Sequence, residues 1–77
     1  MSENIGYYVT IKRGTRTGFL LGPYFDHHSA LNRVDAARDA ANEIDPRAWF
    51  DLIGTSKLTT ENELPLGVLN KSGVLPL

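Results

Sequence analysis

Residues 7–21 read YYVTIKRGTRTGFLL, and this alternation of apolar and polar side chains is typical of two β-strands joined by a short loop. Odd-numbered residues from 7 to 11 share one face of the first strand, whereas Tyr8 lies on the other. Glycines bound residues 14–18, as they often do in turns that need unusual backbone angles. The pattern therefore predicts an antiparallel hairpin with one buried face, whose second strand resumes at Phe19.

A helix is predicted to follow the hairpin. Gly22-Pro23 is expected to end the second strand, and Asp26 stands where an N-cap carboxylate accepts hydrogen bonds from the first free amides. Residues 27–44 then show helical periodicity. Small side chains dominate the expected buried stripe, which would let the helix lie close against the sheet. The stripe contains Ala30, Val34, Ala37, Ala41 and Ile44, with Leu31 at its edge.

The next segment is ambiguous between two structures. Asp45-Pro46 begins a segment that favours a short second helix over residues 46–53, with Gly54 just past its end. The competing interpretation is a strand over residues 49–53, which would place Asp51 on the same face as two large apolar side chains. Residues 55–60 are predicted to form a short third strand.

These elements predict an α+β fold: a single domain over residues 1–58, followed by a polar linker and an apolar tail over residues 59–77. The prolines of the tail disfavour a continuous helix. An extended segment packed on the body, a small hairpin around residues 70–73 and a mobile tail all remain open. The apolar residues of the tail form a candidate interface with this domain's own core, a dimer partner or another protein. They are Leu64, Leu66, Val68, Leu69, Val74, Leu75 and Leu77.

Composition narrows the class of protein. The 77-residue chain has no cysteine and a net charge of −1, so a disulfide framework is excluded and non-specific nucleic-acid binding is disfavoured. No apolar run approaches the ~20 residues of a membrane span, and residues 1–4 do not resemble a secretory signal. A cytoplasmic location is therefore expected. A homodimer remains open, because a chain this short buries only ~60% of its unfolded surface.

No catalytic residue, metal ligand or cofactor site is predicted. His27 and His28 would point about 100° apart on a helix, so they are poorly placed to hold one metal ion together. Ser29 is close to both in sequence, but no acid is placed to orient a histidine base. The acidic residues of the helix lie beside arginines on its expected solvated side. We therefore expect a protein that is not an enzyme.

The hairpin tip is the candidate contact surface for nucleic acid or a partner. Lys12, Arg13 and Arg16 could grip phosphates, and an exposed Tyr8 could stack on a base. The alternative is a solubilised turn that protects an edge strand, for which lysine and arginine are usual. We favour this alternative.

Four short motifs lie between Tyr7 and Leu58: residues 13–17 (RGTRT), residues 21–24 (LGPY), Ala30-Leu31 and residues 51–56 (DLIGTS). Over this range the chain resembles small uncharacterised proteins encoded by bacteriophages and prophages of proteobacteria. This resemblance implies a phage accessory protein in the host cytoplasm and supplies no catalytic residues.

A fainter likeness links residues 7–9, residues 22–24 and Asp26 to the SPOR peptidoglycan-binding domain. That family has two β-α repeats, whereas this sequence shows one.

The preferred hypothesis is a non-enzymatic interaction protein that binds a host or phage protein. A nucleic-acid-binding regulator is second, and a SPOR-like glycan-binding module is third.

Overall fold

In a computed structural model, which describes residues 3–46 and 52–76, β1 (Asn4–Arg13) lies between β2 (Arg16–Tyr24) and β3 (Leu52–Thr60) in one three-stranded antiparallel sheet. The predicted α+β class and the hairpin are therefore confirmed. Helices pack on the sheet, and none of those described is long and apolar enough to cross a membrane. In chain order the elements are β1 (Asn4–Arg13), β2 (Arg16–Tyr24), α1 (His27–Leu31), α2 (Val34–Ile44), β3 (Leu52–Thr60) and α3 (Val68–Lys71).

The hairpin loop is shorter than predicted, because residues 16–18 already belong to β2. Only Gly14 and Thr15 lie between the strands. Gly14 has a φ of 62° and Thr15 has a negative φ. Glycine at the first central position is typical of a type II′ turn, whose twist matches that of the flanking strands.

Strand β2 does not end at Gly22-Pro23, contrary to the sequence prediction. It continues to Tyr24, and two register shifts against β1 place extra residues in β2. A proline is tolerated there because β2 is an edge strand. Such bulges also turn successive side chains toward one side, which explains why Leu20 and Leu21 are both buried.

The predicted single helix over residues 27–44 is interrupted at Asn32 and Arg33, and so consists of α1 and α2. The amide of Arg33 donates to the carbonyl of Ala30 rather than to a residue one full turn earlier, which tightens and ends α1. Asparagine also favours caps over helix interiors. Most of the alanine stripe is buried as expected, but Ile44 is 65% exposed and Leu31 is 51% exposed.

The hydrophobic core lies on one face of the sheet, here called the helical face. Val9 and Leu21 contribute the fully buried strand side chains, and the alanines of α2 pack over them. Leu69 of α3 completes this cluster and is 3% exposed. The opposite face, here called the Tyr8 face, carries the even-numbered residues of β1.

The C-terminal segment (residues 61–76) packs on the body, as in one of the arrangements that the sequence left open. It is not extended throughout as expected, because residues 68–71 form α3. Leu64 and Pro65 lie on the Tyr8 face, where Leu64 comes close to Gly6. The amide of Gly67 then donates to the carbonyl of Gly22 at 2.9 Å, at the edge of β2. Beyond this point Leu69 is buried on the helical face. The segment therefore wraps around one edge of the sheet.

The ambiguous segment is partly resolved by β3. Residues 47–51 lie outside the described residues, but Leu52 and Ile53 are in β3, so the favoured helix is wrong at these two positions. The predicted third strand is confirmed and begins earlier than expected. Thr59 and Thr60 also belong to it, and the polar linker is correspondingly shorter.

Candidate functional site

The predicted basic patch at the hairpin tip is divided between the two faces of the sheet. Arg13 lies opposite Arg16 in the register, whereas Lys12 lies opposite Thr17. Because side chains alternate along a strand, the two arginines project on the helical face and Lys12 on the Tyr8 face. The three cations therefore do not form one surface.

Tyr8, the fourth residue of the predicted contact patch, is not exposed. It has no solvent-accessible surface, and its ring lies 4.6 Å from that of Phe19. Its hydroxyl donates to the carbonyl of Pro65 at 2.6 Å, and burial raises the pKa of that hydroxyl. The expectation of a stacking tyrosine is therefore wrong, because the C-terminal segment covers this part of the sheet.

The arginines of the tip differ in their partners. Arg13 Nη2 lies 3.2 Å from the Asp45 carboxylate at the end of α2, in a partly exposed ion pair. Arg16 is exposed and forms no ion pair with any described residue. Of the two arginines at the hairpin tip, Arg16 is therefore the one whose guanidinium group is available on the helical face.

Arg16 stands beside an apolar groove of about 440 Å³ between the hairpin, α2 and α3. Leu20 and Leu69 lie deep in it, and the small side chains of Gly18 and Ala41 leave space above them. Ile44 and Val68 are 65% and 60% exposed at its margins. The groove is lined by Ile11, Arg13, Arg16, Thr17, Gly18, Leu20, Ala41, Ile44, Asp45, Val68 and Leu69.

The predicted apolar interface of the tail is dispersed by the fold. Leu69 is buried in this domain's own core, while Leu64 and Leu75 are half-buried. Leu66, Val68 and Val74 are exposed by 48%, 60% and 45%, and Leu77 lies outside the described residues. Of the exposed three, only Val68 lines the groove.

The histidines stand apart from the groove, at the start of α1. His27 Nε2 lies 2.9 Å from Thr55 Oγ1, and its ring contacts that of Tyr7 edge-on. Asp26 accepts from the Ser29 amide at 2.7 Å, as the predicted N-cap. That hydrogen bond, with a smaller contribution from the nearby histidines, lowers the pKa of Asp26. Among residues 3–46 and 52–76, no group of three acidic, histidine or cysteine side chains could hold a metal ion.

Sequence reasoning identified Arg13, Arg16 and Val68 but did not bring them together, and it placed Ile44 in the core. One feature of the sequence could have indicated the groove: Gly18 and Ala41 are small residues. Small residues predict close packing, but they equally permit a groove. Chemically, the groove offers apolar contact area and a cation, and there is no histidine, cysteine, serine or lysine among the described residues that line it. Comparisons with family models, curated proteins and solved structures found no match to this chain.

Proposed function

We propose that this chain is a non-enzymatic protein-interaction module whose groove binds a segment of a partner protein. The segment would carry adjacent apolar side chains followed by an acidic residue. The observation that supports this proposal is the exposure of Ile44 and Val68 beside a groove that also contains the guanidinium group of Arg16.

The apolar part of the proposal follows from the exposed surface of two aliphatic side chains. Ile44 and Val68 belong to different helices, yet both leave most of their surface in water at the margins of the same groove. Burying a large aliphatic side chain contributes roughly 1.5–3 kcal/mol. A partner that covers both margins while inserting a side chain between them would gain from each contact.

The acidic part of the proposal follows from the positive charge of Arg16. Arg16 has no carboxylate partner among the described residues, and guanidinium groups bind carboxylates with two parallel hydrogen bonds. Asp45 lies in the same lining, where it pairs with Arg13. Arg16 and this ion pair lie at the hairpin-tip end of the groove, because Arg13 and Arg16 are opposite each other in the register of β1 and β2. An acidic residue is therefore attracted to that end rather than to the apolar remainder of the lining. This asymmetry would fix the direction of a bound segment.

The resemblance to phage-encoded proteins makes a phage or host protein in the host cytoplasm the expected source of that segment. A transient complex is expected, because one short segment in this groove would form a small interface, and interfaces below about 1,200 Å² of total buried surface are usually weak. Nucleic acid fits less well as a ligand. Lys12 lies on the other face from the arginines, and Tyr8 is buried.

The test uses two synthetic decapeptides and methyl NMR spectra of the full chain. Both peptides carry two adjacent leucines, followed by two glutamates in one and two lysines in the other. We expect the glutamate peptide to shift the methyl resonances of Ile44 and Val68 progressively and to bind at least threefold more tightly than the lysine peptide. Arg16→Gln should remove that difference.

A matched pair of variants identifies the natural partner. Ile44→Asp charges a margin of the groove, whereas Leu31→Asp makes the same kind of change on α1, outside it; both side chains are exposed. A protein captured from lysate supports the proposal only if Ile44→Asp and Arg16→Glu lose it and Leu31→Asp retains it. The proposal is wrong if millimolar glutamate peptide leaves the Ile44 and Val68 resonances unmoved.

A further inference from the structure

Strand β3 is an edge strand with unusually little to prevent another strand from pairing with it. It is nine residues long, and its register with β1 is continuous from Leu52 to Thr60. It contains no proline, and Lys57 is its one charged residue. Natural proteins usually protect such edges with bulges, prolines, several charges or a covering segment.

The other edge of the same sheet has that protection. Strand β2 contains two register shifts and Pro23, and the C-terminal segment lies along it. Gly67 donates to the carbonyl of Gly22, and the side chain of Asn70 accepts from the Gly22 amide. Among the described residues, no backbone hydrogen bond from outside the sheet reaches β3. Among the described residues, the β2 edge is therefore covered by another segment, whereas the β3 edge is not.

We propose that β3 pairs antiparallel with β3 of a second copy of this chain, about a two-fold axis at Ser56. The three-stranded sheet would then continue as six strands. In this register Ser56 faces itself, Gly54 faces Leu58 of the second copy, and Leu52 faces Thr60. Such a contact is isologous and closed, as in most homodimers.

The register follows from shape on the Tyr8 face. A side chain at Gly54 would meet no atom within 4 Å, and a hollow of about 220 Å³ lies there, lined in part by Thr10, Lys12 and Leu52. Leu58 of the second copy would project into this hollow. Leu52, which is 74% exposed, would be its diagonal neighbour. One pairing therefore fills a hollow and covers an exposed leucine in each copy.

Neighbouring two-fold registers are poorer. Centring the axis on Lys57 would set two lysines directly opposite each other, which is destabilising. Centring it on Thr55 would pair Leu52 with Leu58, but it would place Ile53 opposite Lys57 and leave the hollow at Gly54 facing only Ser56. Because Gly54 and Leu58 lie on one strand at equal distances from Ser56, the strand is complementary to itself. This favours a second copy over a foreign strand as the occupant.

The proposed dimer does not depend on the partner-binding groove. That groove is lined by β1, β2, α2 and α3, and no residue of β3 contributes to it. A dimer through β3 would therefore leave both grooves open and present them in one particle. Linking two weak sites in this way raises their combined affinity for a bivalent partner.

The first measurement is the mass of the full chain by sedimentation over a range of concentrations. We expect a monomer–dimer equilibrium that Leu52→Lys weakens roughly tenfold, because an apolar contact in each copy is replaced by a charge. Leu31→Lys, at an exposed leucine outside β3, should leave it unchanged. A monomeric mass at millimolar concentration overturns the proposal.

The second measurement fixes the register. The chain has no cysteine, so single cysteines report on single positions. With a short bismaleimide, Ser56→Cys should cross-link efficiently, since position 56 faces itself. Thr60→Cys should not, because its two copies would lie roughly 26 Å apart along the strands. A dimer in which both variants cross-link equally, or only Thr60→Cys does, uses another surface or register and refutes the assignment.

Discussion

The hydroxyl of Tyr8 donates a 2.6 Å hydrogen bond to the carbonyl of Pro65, joining the middle of β1 to a residue 57 positions later in the chain. On the other face of the sheet, Leu69 of the same C-terminal segment is packed among the core side chains. The segment therefore holds the sheet from both faces. Removing residues 59–77 would take away core contacts rather than release an independent tail.

Tyr8→Phe isolates the contribution of this hydrogen bond. The ring and its packing against Phe19 are kept, and only the hydroxyl is lost. We expect the free energy of unfolding to fall by about 1 kcal/mol, typical of one hydrogen bond with a partly buried acceptor. Urea unfolding followed by circular dichroism would measure it. Tyr7→Phe is the control, and an equal loss there would show that the Tyr8–Pro65 contact has no particular role.

Gly67→Ala tests how closely the C-terminal segment approaches β2. A Cβ at this position would lie 2.6 Å from the carbonyl oxygen of Leu20 and 2.7 Å from Cα of Leu21, both of them backbone atoms that cannot rotate away. Overpacking of this kind typically costs about 1–3 kcal/mol, so we expect a loss of stability in that range.

The control for this substitution is Gly54→Ala, where the added methyl group would meet no atom within 4 Å. Both variants should be unfolded at a protein concentration low enough for the chain to be monomeric, because Gly54 lies in the proposed contact between β3 strands. We expect Gly54→Ala to lower the free energy of unfolding by no more than a few tenths of a kcal/mol, since alanine suits a strand no worse than glycine. Equal destabilisation of the two variants would contradict the close approach at Gly67.

Local sequence patterns predicted the elements that are determined by residues close together in the chain. The hairpin follows from period-two alternation and Gly14, and the buried alanines of α2 follow from helical spacing. The burial of Tyr8 was not predictable in this way, because alternation marks only one face of β1 as buried. Its cover comes from Pro65 and Leu64, far along the chain.

The groove was missed for a related reason. Helical periodicity places Ile44 on the same stripe as Ala37 and Ala41, but the sheet and α3 do not extend far enough to cover the last turn of α2. Whether a residue at the end of a stripe is buried depends on the length of the surface beneath it. That length depends on the assembled fold, so it cannot be predicted from the spacing of side chains in one helix.

Alkaline pH should weaken the fold through Tyr8. Burial raises the pKa of its hydroxyl above the unfolded value of about 10, so the unfolded chain releases this proton more readily than the folded chain does. The stabilisation is complete below the unfolded pKa and is lost as pH rises through the folded pKa. Unfolding by urea between pH 8 and 11 should show the decline, and Tyr8→Phe should flatten it relative to Tyr7→Phe.

Acid should weaken the first turn of α1 through Asp26. The hydrogen bond from the Ser29 amide is the main reason that the pKa of this carboxyl lies below its usual value. Its contribution is present above the unfolded pKa and disappears as pH falls through the folded pKa. Carboxyl NMR titration should give Asp26 a pKa below the value of about 3.9 that is usual for aspartate. Asp26→Asn, which can still cap, should remove the pH dependence while keeping most of the helix.

Asn70→Ala should be the most damaging polar substitution in the C-terminal segment, because one side chain makes two structural hydrogen bonds. Its Oδ1 accepts from the Gly22 amide at 2.7 Å, and its Nδ2 donates to the Leu75 carbonyl at 3.1 Å. Alanine leaves both backbone groups without this partner, so we expect a loss of about 2–3 kcal/mol. Asn70→Asp keeps the acceptor for Gly22 but removes the donor to Leu75, and it should lose roughly half as much at neutral pH.

Asn4→Ala is the matched control for Asn70, since Asn4 also joins the sheet to the C-terminal segment, but from β1 and in solvent. Its Nδ2 donates to the carbonyl of Asn62 at 2.8 Å, and both residues are exposed. Water can replace that hydrogen bond, so its loss should cost no more than about 0.5 kcal/mol. Urea unfolding of the three variants would rank them. If Asn4→Ala and Asn70→Ala were equally destabilised, the amide of Asn70 would not be what holds α3 to the edge of β2.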